Sequence, residues 1–165
     1  MFREMRRKNQ LLPSEEIERI LREGSHGVLA VSGDGGYPYA VPLSFVYLDS
    51  RIYFHCAKQG HKLDAILREE KVSFCVVEKD DVVQEKYTTY FSSVIAFGRA
   101  HVVEDDGEKR RAIQALAEKY SPDCREGIAK AIESEWNAMH MVRFDIEHVT
   151  GKEARELAKA RRAGE

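Results

Sequence analysis

Apolar positions first recur at helical spacing at Ile17, Ile20 and Leu21, behind Pro13-Ser14-Glu15-Glu16 and ahead of Gly24. A capping serine, two glutamates at the positive end of the dipole and a glycine stop predict a helix over residues 14–23. The pattern then changes to a short β-branched run, Gly27-Val28-Leu29-Ala30-Val31-Ser32. Gly33-Asp34-Gly35-Gly36 follows, and Asp-Gly between two such runs signals a hairpin. Residues 37–47 read as one returning strand, 48–51 as a second turn and 52–56 as a third strand, an antiparallel meander. Pro42 cannot donate to a ladder, so it marks an edge, a bulge, or a place where something other than a strand lies alongside.

Further on, Leu63, Ile66 and Leu67 predict a short helix over 60–68, residues 72–77 a buried strand, and 79–86 a charged connection. Residues 87–103 are aromatic and β-branched and read as one bent strand or two. Ile113, Leu116, Ala117 and Tyr120 share one face of a helix over 105–120, and Pro122 opens another helical stretch to about 135. Residues 139–146 alternate as a last strand, and 152–162 read as a solvated helix or tail. The chain thus divides into a loose arm (1–12), one domain (13–150) and a C-terminal helical tail (151–165). With no βαβ repetition and no GxGxxG, a doubly wound nucleotide fold is excluded. The expectation is a mainly β, antiparallel barrel with peripheral helices.

Composition narrows the class. The 165 residues, 43% apolar and 33% charged, suit a single soluble domain with a real core. A net charge of −2 argues against electrostatic capture of nucleic acid. No apolar run approaches the roughly 20 residues of a membrane span, and the charged N-terminus does not read as a secretory signal. Cys56, Cys75 and Cys124 form no CxxC pair, which fits a reducing, cytoplasmic setting.

One segment carries candidate chemistry. A strand ends at His55, a turn containing Gly60 opens a helix, and Lys62 lies in its first turn. Free helix N–H groups, a lysine and an imidazole make an anion site that would fit a phosphate. The plainer alternative is an ordinary strand–glycine–helix turn with a solvated lysine. Cys56 beside His55 is either an activated thiol or a small buried residue. Trp136, the single tryptophan, either covers a ligand or packs in the core. His26, His101 and His140 read as structural histidines. No zinc spacing and no GxSxG nucleophile motif appear, so no metal site and no catalytic residue are assigned.

The sequence also resembles the pyridoxamine-phosphate-oxidase-like FMN-binding split barrels, nearest their nitroimidazole-resistance branch. The matching stretches are Gly27-Val28-Leu29-Ala30, Pro38-Tyr39-Ala40-Val41-Pro42-Leu43-Ser44-Phe45, Tyr53-Phe54-His55-Cys56-Ala57, Gly60-His61-Lys62, Tyr90-Phe91-Ser92-Ser93-Val94-Ile95-Ala96-Phe97-Gly98-Arg99-Ala100 and Ile146-Glu147-His148-Val149-Thr150-Gly151-Lys152. Together they cover nearly the whole chain from Met5 to Ala154. The resemblance implies a homodimer with FMN at the interface. The backbone of Val41, Pro42, Leu43 and Ser44 would lie along the flavin ring. His55, Cys56, Ala57, Gly60, His61 and Lys62 would hold the phosphate, and Ser92 and Ser93 would approach from the other subunit. It further implies an oxidoreductase, with NAD(P)H as reductant and a small, for example nitroaromatic, acceptor. The alternatives are a flavin carrier or sensor, and a haem-binding barrel with His140 as axial ligand. The substrate-phosphate-binding arginine and histidine cluster of the true oxidases has no evident counterpart. The aromatic stretch 87–103 fits a subunit interface, or else a central strand buried by its own chain.

Overall fold

The computed structural model describes residues 2–164; the first residue of the expected arm and the last of the expected tail lie outside the described residues. The chain forms α1 (Ser14–Glu23), β1 (Gly27–Ser32), β2 (Pro38–Leu43), β3 (Val46–Leu48), β4 (Arg51–Ala57), α2 (His61–Arg68), β5 (Lys71–Val83), β6 (Thr88–Val102), α3 (Asp106–Tyr120), α4 (Arg125–Glu135), β7 (Met139–Glu153) and α5 (Arg155–Gly164). All strand pairs are antiparallel, in the order β2-β1-β5-β6-β7-β4-β3.

That order requires a barrel. The edge strands β2 and β3 are joined by Ser44 and Phe45 alone, and so short a link spans at most about 10 Å. Seven strands laid flat would put the edges roughly 29 Å apart. The sheet must therefore curl until its edges meet, yet no ladder joins them, and the barrel is split there. Phe45, Phe54, Phe74 and Phe144 fill its interior, with Ile20 and Leu21 of α1. Gly98 marks a register shift between β6 and β7, where an added Cβ would strike the Asp145 carbonyl.

Several expected elements change form. Residues 37–47 are two strands on opposite edges, so the expected three-stranded meander does not exist; only the β1–β2 and β3–β4 pairs do. Pro42 lies on the edge strand β2, where its missing N–H costs nothing. Ser14 is the first helical residue rather than the cap, and Pro13 precedes it without a side-chain cap bond. Gly24 ends α1 at φ −54, so no left-handed turn is involved; a side chain there would strike Val76. The charged stretch after residue 78 continues β5 to Val83, past a bulge, because β6 pairs with it throughout. Strand β7 runs on to Glu153, beyond residue 146. Within the expected arm, Gln10 and Leu12 are buried, the Gln10 amide donating to the Glu153 carbonyl at 3.0 Å. No helix among the described residues is long and apolar enough to cross a membrane.

Candidate functional site

Strand β4 alternates: Phe54 and Cys56 are buried in the barrel core, and His55 and Ala57 are exposed between them. The chain then turns through Gly60, at φ +123, into α2. No atom lies within 4 Å of where a Gly60 Cβ would stand, so the helix opens onto unobstructed space. Leu63, Ala65 and Ile66 anchor α2 in the core. Lys62 is half-buried with its Nζ 5.8 Å from the centre of the Phe54 ring. Among the described residues it makes no ion pair or hydrogen bond. Although part of the ring reaches solvent, desolvation of the rest, aided by the Lys62 charge, holds His55 below the ordinary imidazole range. The turn therefore offers free helix N–H groups, an unpaired cation and a neutral imidazole, which suit a phosphate.

The other expected residues are partly gathered. Val41 and Leu43 pack against the core, leaving Pro42 and Ser44 exposed. The His61 ring turns away from the turn, stacks on Tyr39 at 4.2 Å and accepts the Asp34 N–H at 3.2 Å. Cys56 faces inward, and burial pushes its thiol up rather than down, so His55 does not activate it. Ser92 and Ser93 lie opposite Glu153 and Lys152, whereas His55 lies opposite Met141. Eleven or twelve residues of β7, roughly 36–40 Å of strand, separate the two positions. One chain therefore does not bring the serines to the turn. The Ser92 hydroxyl already donates to Glu78 at 2.5 Å. Trp136 stacks beneath Lys109 and Arg110, at 4.3 and 4.6 Å. His140 lies opposite Cys56, and burial with Lys58 and Lys109 holds it low.

Two features had no local signal. Lys119 of α3 donates to the carbonyls of Gly24 and Phe45 at 2.7 and 3.0 Å, and the Tyr120 hydroxyl accepts the Phe45 N–H at 3.0 Å. They clamp the link between β2 and β3, next to Ser44. Secondly, the α3–α4 hairpin and β4 enclose a groove of about 210 Å³ beside His55. Both depend on residues some 70 positions apart, which no spacing rule connects.

The model for pyridoxamine 5'-phosphate oxidase matches residues 13–153. The chain belongs to this family. No curated protein matches the sequence. Among solved structures, the family member resembles a candidate 5-nitroimidazole antibiotic resistance protein from Bacteroides thetaiotaomicron, at 21% identity and a TM-score of 0.72, over 86% of this chain and 85% of that one. It also resembles a FAD-binding protein from Mesorhizobium loti (26% identity, TM-score 0.64, 88% and 97%). A third likeness is to a flavocytochrome from Azotobacter vinelandii (20%, 0.74, 92% and 72%). The mainly β, antiparallel split barrel expected from the sequence is thus the fold of the family.

Proposed function

We propose that this chain is a flavin-dependent oxidoreductase that works as a homodimer, binding FMN between subunits and passing electrons from NAD(P)H to a small acceptor. The observation that carries the reading is the half-buried, unpaired Lys62 at the open N-terminus of α2. The ammonium has donors left over, and a phosphate would accept charge-assisted hydrogen bonds from them. His55 adds a neutral hydrogen-bonding group. The flavin, when bound, supplies the redox chemistry; the protein's part is position, electrostatics and exclusion of water. Lys62 and the α2 amides would hold the phosphate, and the backbone of 41–44 would run along the ring. Lys119 and Tyr120 keep that segment's end from relaxing.

A dimer is supported by the outer face of the sheet. Two rows cross it by register: Pro42, Val28, Cys75, Ile95 and Thr150, then Ala40, Ala30, Ser73, Phe97 and His148. Neither row holds an Asp, Glu, Lys or Arg. Inward-facing Val94 and Ala96 are buried, but Ile95 and Phe97 on the outer face remain 40% and 38% exposed. The strand therefore serves the chain's own core with one side, while the other, on which Phe2 packs against Phe97 and His148, stays partly open to a partner. A second copy could also carry Ser92 and Ser93 toward the turn.

The absorption spectrum of the purified protein tests the reading. A flavin spectrum that bleaches anaerobically with NAD(P)H is expected. Bound flavin that no nicotinamide reduces would favour a carrier or sensor. A haem spectrum, or an apoprotein that takes up no added flavin, would overturn the reading.

A further inference from the structure

The N-terminal arm and α5 form a basic surface that the phosphate turn does not use. Residues 2–12 and 151–164 together hold nine Lys and Arg against three Glu, a local charge of +6, whereas residues 13–150 hold 17 basic and 24 acidic residues, a charge of −7. The two segments meet in space, the Arg162 guanidinium donating to the Asn9 carbonyl at 2.8 Å. Between them and the start of β6 lies a cavity of about 450 Å³. It adjoins Ala154, just past the end of β7, whereas His55 lies opposite Met141 near that strand's beginning. Donors converge on the cavity from three parts of the chain: Arg7 from the arm, Thr88 and Thr89 from β6, and Arg155 from α5. Most of their capacity is unused. Arg7 makes one long contact, 3.4 Å to the Gln10 Oε1, and Arg155 stands 4.0 Å from the Glu156 carboxylate. Neither threonine hydroxyl is hydrogen-bonded among the described residues. Helix stability does not account for Arg155, because a cation in the first turn opposes the helix dipole.

We propose that this cavity binds a small sugar phosphate, its phosphate held by Arg7 and Arg155 and its hydroxyls by Thr88, Thr89 and Asn9. The site is independent of the flavin reading above. Two guanidiniums suit a phosphate because each can donate two parallel hydrogen bonds to its oxygens. Glu156, the one carboxylate in the lining, stands beside Arg155 and near Lys86, so cations remain in excess. Volume argues for more than the bare ion, since 450 Å³ falls within the roughly 300–1,000 Å³ of small-molecule sites. The walls select a polar organic part: apart from Phe91 and Ala154, every lining residue carries a hydrogen-bonding side chain. Hydroxyl and amide groups both donate and accept, as sugar hydroxyls require. Phe91 adds an apolar wall for the C–H groups of the sugar.

Titration calorimetry of the purified protein at low ionic strength with glucose 6-phosphate, inorganic phosphate and glucose tests this, because the three separate the phosphate from the sugar. Glucose 6-phosphate should bind with a dissociation constant of about 1 mM or below, more tightly than inorganic phosphate, and glucose should give no measurable heat. Arg7→Gln and Arg155→Gln should each weaken glucose 6-phosphate binding by about fivefold or more. Thr89→Val, which keeps a β-branched side chain in the strand and changes no charge, should weaken it by roughly two- to tenfold. Lys62→Ala should leave it unchanged, which separates the cavity from the phosphate turn. Circular dichroism checks each variant's fold. No binding at about 10 mM, or inorganic phosphate binding as tightly as glucose 6-phosphate, would overturn the proposal. So would binding unchanged in the folded arginine variants or in Thr89→Val, binding lost in Lys62→Ala, or release of bound flavin by glucose 6-phosphate.

Discussion

Replacing Lys119 by methionine should remove a pH dependence of stability that the fold itself creates. The Lys119 ammonium is half-buried, over the Phe45 ring at 4.2 Å, and bonded to two backbone carbonyls. Among the described residues no carboxylate pairs with it. Burial therefore lowers its pKa from 10.5 to about 8. Between these values the unfolded chain holds more protons than the folded one, so stability rises with pH across that window. Taken at face value, the shift is worth about 2 kcal/mol between about pH 7.5 and about pH 9.5. The group is half in water, and screening reduces this to about 1 kcal/mol. Cys56, Cys75 and Tyr53, all pushed up by burial, also titrate in alkali, and their effect has the opposite sign. The comparison with Lys119→Met cancels them. Urea unfolding of both proteins at the two pH values is the assay. The wild type should gain about 1 kcal/mol relative to the variant on going to the higher pH. Parallel pH profiles would mean that the amine is solvated, and that the clamp on the β2–β3 link is not formed as described.

Two further outcomes follow from the site and the outer face. Lys62→Ala should weaken FMN binding by about 1.5–3 kcal/mol, or roughly 10- to 150-fold, read by titrating apoprotein; an unchanged dissociation constant would remove Lys62 from the site. Riboflavin, which lacks the phosphate, should bind this variant and the wild type alike. If the proposed dimer forms through this face, Phe97→Glu should convert it to monomer in sedimentation at low micromolar concentration and release flavin with it; a wild-type monomer that keeps one flavin per chain would exclude a shared site.

Local chemistry wrote much of this protein openly. The 3.6-residue spacing of Ile17, Ile20 and Leu21 and the acidic start of α1 set that helix to the residue. The Asp-Gly turn after Ser32 set the β1–β2 hairpin, with Gly35 and Gly36 at positive φ. The strand–Gly60–helix turn with Lys62 in its first turn was likewise readable, because a strand end, a glycine and a helix start are local features.

What failed locally depended on partners distant in sequence. Residues 37–47 read as one strand because both halves are apolar and alternating. The break at Ser44 and Phe45 arises only because β1 captures one half and β4 the other. The charged residues after Glu78 gave no strand signal, yet β6 extends β5 across them by backbone hydrogen bonds, which are indifferent to side-chain polarity. The apolar outer face, the Lys119 clamp and the groove under α3 and α4 exist only once seven strands have curled together. The sequence alone determined which groups were available, through periodicity, capping and turn chemistry. The tertiary structure decided which of them meet, because burial, an unpaired lysine and a perturbed pKa are properties of surroundings assembled from the whole chain.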